Sequence, residues 1–166
     1  MKFIAAPLFS ALLLIAAHAQ GAGMRSWQGH QSSITSFEVR VVRQSAAWND
    51  LWKSIGREAP EAWREGQIAV AAFAGLKPSG GYGIDVTKIE RGKCVIVVRF
   101  AEKAPGPHGA VIKMLTAPWS VSLMEASEWP VVFARDGDAD GRTIIPESEG
   151  SRLAQAKEGC AAKSQG

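Results

Sequence analysis

The chain has 166 residues, 46% of them hydrophobic and 21% charged, a length and composition suited to one domain with a real hydrophobic core. Its 19 basic and 16 acidic residues nearly balance, and no basic stripe carries interleaved aromatics, so nucleic acid is not the expected partner.

The chain opens on Lys2, an apolar stretch over residues 3–17, and Ala17-His18-Ala19 followed by Gln20. A positive start, an apolar run too short for a confident span and small residues at both specificity positions describe a secretory signal peptide, residues 1–19, cleaved after Ala19. The expected location is periplasmic or secreted, with no membrane span left after cleavage. No cysteine lies near the cleavage point, which argues against a lipid anchor. Residues 20–26, with Gly21-Ala22-Gly23, read as a flexible leader.

Residues 27–135 read as a β domain, beginning with Trp27. Phe37, Val39 and Val41 alternate with Glu38 and Arg40, the pattern of a half-buried strand. Ser45 is placed to cap a helix whose Ala47, Trp48, Leu51, Trp52 and Ile55 share one face, with Gly56 as its stop. Two tryptophans one turn apart suit packing across a sheet or over the mouth of a barrel; a partner-binding aromatic face is the alternative. Residues 60–67 are a polar connection containing Trp63.

Strand signals follow. An apolar run over 68–74 leads into Gly75-Leu76-Lys77-Pro78-Ser79-Gly80-Gly81-Tyr82-Gly83, and Tyr82, Ile84 and Val86 then alternate with polar residues. Pro78 fixes one backbone angle and Gly80 and Gly81 permit positive φ, so the loop has a defined shape. A turn at 90–93 leads to a β-branched run over 94–101, a candidate central strand. Pro105-Gly106-Pro107-His108-Gly109 is a second punctuated loop before a strand at 111–115, and Ala117-Pro118-Trp119 is a corner before Val121 and Leu123. A last strand covers 131–134. One packed α-helix with many short strands makes a mainly β fold, an antiparallel β sandwich or a partly open barrel. Residues 148–166, small and polar with Gly150 and Gly159, read as a weakly ordered tail.

No catalytic constellation stands out, and the expectation is a non-enzyme. His30 and His108 fit no metal or triad spacing, and the glycines at 80, 81 and 83 lack the βαβ context of a dinucleotide site. Cys94 and Cys160 are compatible with a bridge tying the tail to a strand, and equally with two separate thiols.

The strongest spacing match is residues 136–147, an acidic loop with Asp136, Asp138 and Asp140 at its first, third and fifth positions, Gly141 at the sixth and Glu147 at the twelfth. With the Arg142 carbonyl, these are the donors of a calcium loop, and Ca²⁺ would relieve the repulsion of three crowded carboxylates. The strand-like residues before it and Pro146 depart from the helix–loop–helix form.

Residues Ala72-Phe73-Ala74-Gly75-Leu76-Lys77-Pro78-Ser79-Gly80-Gly81-Tyr82-Gly83-Ile84-Asp85-Val86 resemble the signature of the PrcB-type C-terminal domain family, found in a bacterial protease-complex subunit and in small secreted proteins. Trp48, Leu51 and Trp52, the Pro105-Gly106 pair and Thr116-Ala117-Pro118-Trp119 resemble further pieces of that pattern, in order. The resemblance implies a secreted, non-catalytic interaction module that binds or stabilises a protease or other envelope protein. Lys77, Pro78, Ser79, Gly80, Gly81, Tyr82, Pro118 and Trp119 are then the expected partner-binding residues. A protease-inhibitor-like domain, which presents three loops in a similar order, and a calcium-binding structural protein built on the 136–147 loop are the alternatives.

Overall fold

The computed structural model describes residues 25–107, 111–138 and 140–163; the expected signal peptide, most of the leader, His108 and Ala139 lie outside them. Two four-stranded sheets form a sandwich. The first has the order β1-β6-β3-β2, from β1 (Ser26–Gly29), β2 (Glu38–Val42), β3 (Gln67–Phe73) and β6 (Trp119–Glu125). The second runs β4-β5-β7-β8, from β4 (Gly83–Arg91), β5 (Ile96–Lys103), β7 (Val131–Arg135) and β8 (Thr143–Ile144). Helix α1 (Ser45–Ile55) covers the outer face of the first sheet.

The period-two pattern explains the layers. In β3, Ile68, Val70 and Ala72 face the inter-sheet core with Val98, Phe100 and Phe133, while Ala69, Ala71 and Phe73 face α1. A strand buried on both faces needs an unbroken apolar run, and β3 supplies it. Beside it, β6 sends Trp119, Val121 and Leu123 to the helix side and keeps Ser120 and Ser122 buried. The Ser120 hydroxyl accepts the Val86 N–H of the opposite sheet at 3.3 Å, next to a register shift in β4 between Val86 and Lys88.

The α1 tryptophans are core residues. Trp48 packs against Trp27, Trp52 and Trp63, and Trp52 stands edge-on to Trp119 with ring centroids 5.5 Å apart. Trp48 donates its indole N–H to the Glu61 carbonyl. No aromatic face of α1 is left for a partner. The helix stops where expected, at Gly56 with φ 76°, but its N-cap is Gln44, without a side-chain cap, and Ser45 is the first helical residue.

Other expectations are corrected. One pair, β5 and β7, is parallel, because the chain crosses to the first sheet through β6 before returning. Ser26 begins a strand instead of ending a leader, and 111–115 forms no strand. Cys94 lies in the turn before β5.

The C-terminal region is folded. After β8, a 3-10 turn (Glu147–Glu149) leads into α2 (Gly150–Lys163). Glu149, 1% exposed, receives Arg43 through both carboxylate oxygens at 2.9 and 3.0 Å and the Val131 N–H at 2.8 Å. Arg43 also donates to the Ser127 and Trp129 carbonyls, and Cys160 of α2 is bridged to Cys94. A glycine inside a helix costs about 1 kcal/mol, and tethers at both ends of this segment offset that cost at Gly159.

Candidate functional site

The glycine loop is built by close approach. At Gly75, φ is 73° and an added Cβ would stand 2.8 to 2.9 Å from the backbone of Thr35, Ser36 and Phe37, so only glycine lets the loop cross that strand's approach. Leu76 then donates its N–H to the Thr35 carbonyl. Lys77 and Thr116 exchange backbone hydrogen bonds of 2.7 and 3.0 Å, the Thr116 hydroxyl donates to the Ser79 carbonyl, and the Gly80 N–H reaches the Ile112 carbonyl. Gly81, at φ 83°, rests against Val111 and Pro105. Below the loop, Glu102 accepts Lys77 at 3.2 Å and Arg135 at 2.7 Å, and the Lys77 ammonium lies 5.9 Å from the Tyr82 ring.

These bonds hold segments 30–37, 75–82 and 111–118 as one end of the sandwich. Their backbone polar groups pair with each other, and their apolar side chains are left facing outwards. Leu76, Ile112, Met114 and Leu115 are all at least half exposed, with Ile112 at 74%. The sequence had placed 111–115 in a strand, which would have turned alternate residues inwards; among the described residues no strand pairs with this segment.

The expected partner-binding residues divide. Lys77, Pro78, Ser79, Gly80, Gly81 and Tyr82 lie together at this end, half-buried or exposed. Pro118 and Trp119 do not: both are buried, Trp119 to 1% exposure, with its indole N–H on the Gln31 carbonyl at 2.8 Å and Arg57 over its ring. They form the floor of the end, since Ala74 donates to the Pro118 carbonyl and Ala117 to that of His30. That correction follows from the α1 side of β6, where a large aromatic fills the space between sheet and helix.

Behind the loop lies a cleft of about 580 Å³ lined by Gln31, Arg57, Gly81, Tyr82 and Lys103 among others. The Asp85 carboxylate, 2.7 Å from the Lys103 ammonium, raises the lysine above its ordinary range through a hydrogen bond and charge. His30 and Asp85 line the same cleft.

The acidic loop is spread out. Asp136 accepts the Thr87 hydroxyl, and Asp138 accepts the Asp140 N–H at 3.3 Å. Arg142 lies just before β8, and Glu147 lines a groove beside β2, next to Glu38 and Asp50. Among the described residues, no group of three or more His, Cys, Asp or Glu side chains is placed to hold a metal ion. No described helix is long and apolar enough to cross a membrane.

No curated protein and no solved structure matches the chain. Residues 68–124, from β3 to β6 and including the whole glycine loop, match the family model described as PrcB C-terminal, and this segment is similar to that family.

Proposed function

We propose that the protein is a secreted, non-catalytic interaction module that docks on a protease or another envelope protein through the end formed by residues 75–82 and 111–115. The observation that carries this reading is the exposed row of Leu76, Ile112, Met114 and Leu115 on loops whose backbones are hydrogen-bonded to one another. A pre-ordered apolar surface lowers the entropic cost of docking. The PrcB-type family supports association with a protease complex. The signal peptide read at residues 1–19 supports a periplasmic or secreted location, and an exported protein beginning at Gln20 by intact mass would agree with it.

The test is capture from the envelope fraction with wild-type protein and an Ile112→Asp/Leu115→Asp variant of unchanged melting temperature. The wild type should retain a protease-complex component that the variant loses; identical partner sets overturn the reading. The inhibitor-like alternative predicts in addition that the wild type slows that protease on a small peptide substrate. The calcium alternative requires Asp136, Asp138, Asp140, Arg142 and Glu147 to gather from their present positions. A Ca²⁺-dependent rise in melting temperature, abolished by Asp138→Ala, is its signature.

A further inference from the structure

The β2 edge of the first sheet carries a second surface that the loop end does not explain. Strand β2 pairs with β3 on one side only. Among the described residues, no other backbone or side-chain group hydrogen-bonds to the main chain of residues 38–42. In an antiparallel pair, alternate residues turn their N–H and C=O groups away from the partner, so β2 presents unpaired groups along its outer edge. This edge forms the floor of a groove of about 510 Å³. Ala47, Asp50 and Leu51 of α1 form one wall, and Pro146, Glu147 and Ser148 form the other. Pro146 has no N–H to offer, so the facing lip is poorly suited to extend the sheet.

We propose that this groove takes an extended, basic segment of a partner protein by strand addition to β2. Main-chain hydrogen bonds to the free edge supply the affinity, and the walls select the side chains. Those walls are acidic. Glu38, Asp50 and Glu147 line the groove against a single cation, Arg40, which is paired with Glu38 and bonded to the Ser54 hydroxyl at 3.0 Å. Glu147 has no ion-pair partner among the described residues, while Asp50 meets only an exposed Lys53 at 3.3 Å. With Asp50 on the helix side and Glu147 on the opposite lip, an added strand meets negative charge on either wall. The same excess of carboxylates disfavours a second copy of this chain, because each copy would bring like charge to the other.

The test uses the full exported chain and a short synthetic peptide of alternating Lys and Val, with a Glu/Val peptide and a backbone N-methylated Lys/Val peptide as controls. The basic peptide should bind in a salt-sensitive manner and slow hydrogen exchange at amides of residues 38–42. Neither control should do so. The surface variant Asp50→Lys/Glu147→Lys should weaken binding about tenfold or more. Ile112→Asp/Leu115→Asp should leave it unchanged, which separates this groove from the loop end. Equal binding of the acidic peptide, protection elsewhere, no binding at all, or protection of β2 by self-association without peptide each overturns the proposal.

Discussion

Replacing Arg43 with alanine should destabilise the fold far more than a surface substitution does. The Glu149 carboxylate is 1% exposed, and Arg43 supplies two of its three hydrogen bonds, at 2.9 and 3.0 Å, the Val131 N–H supplying the third. Removing the guanidinium leaves a buried carboxylate with one donor, a change that costs about 3–5 kcal/mol in comparable sites. The Ser127 and Trp129 carbonyls lose a donor in the same step. Against a total stability of about 5–15 kcal/mol for a domain, a loss of that size lowers the melting temperature on the order of 10 °C. Arg43→Met/Glu149→Leu should be milder, because it removes the stranded charge, although the Val131 N–H, at about 1–3 kcal/mol, and the Ser127 and Trp129 carbonyls still lose their partner. Urea unfolding of Arg43→Met, Glu149→Leu and the double variant measures the coupling. A loss below about 1 kcal/mol for Arg43→Ala would refute the reasoning, since it would mean the turn at Glu149 opens to water without cost.

Further outcomes follow from other sites. Reducing the Cys94–Cys160 bridge, which closes a sequence separation of 66 residues, should cost about 2–4 kcal/mol and speed amide exchange in α2; thiols that titrate in the unreduced protein would contradict it. Gly75→Ala should cost roughly 3 kcal/mol, combining positive-φ strain with overlap on the 35–37 backbone, whereas Gly56→Ala, with φ 76° and open space around it, should cost about 1–2 kcal/mol. Equal losses at the two glycines by thermal unfolding would show that contact adds nothing. The Glu90 carboxyl, hydrogen-bonded by Lys88 and Arg99, is held below its ordinary value. Its contribution to stability is therefore complete above the unfolded-state value and fades as pH falls through the folded one, and an NMR titration should show Lys88→Gln moving it upwards.

How far the sequence could be read depends on where each structural cause lies. Strands buried on one or both faces announce themselves locally, and β2, β3 and the alternation leaving the glycine loop were legible for that reason. Gly56 was legible as a stop because a left-handed residue after a helix favours glycine. The short elements β1 and β8 were not, since four and two residues of ordinary composition become strands only when a neighbouring edge holds them. The tail was misread because α2 depends on Arg43 and Cys94, residues distant in the chain. At the loop end, glycine and proline punctuation marked Lys77 to Tyr82 as a shaped loop and the family resemblance alone suggested a partner for it, while the exposure of Ile112, Met114 and Leu115 was not legible. An apolar run looks alike whether a partner strand covers it or not, and Trp119 was assigned outwards because a Pro-Trp corner carries no mark of the helix lying above it.

The family match has a boundary that the sheets do not respect. Residues 68–124 contribute β3 and β6 to one sheet and β4 and β5 to the other. Cut out by itself, that segment would bare β3 where β2 belongs, β6 where β1 belongs and β5 where β7 belongs, and would lose the helix over Phe73 and Trp119. It is a waist shared by both layers, and only the outer edge of β4 is an edge of the whole fold as well. The two sheets are thus interleaved along the chain, and loosening either removes strands that anchor the other. Unfolding should be a single cooperative event, and a transplant of the loop end into another scaffold would have to carry the flanking strands with it.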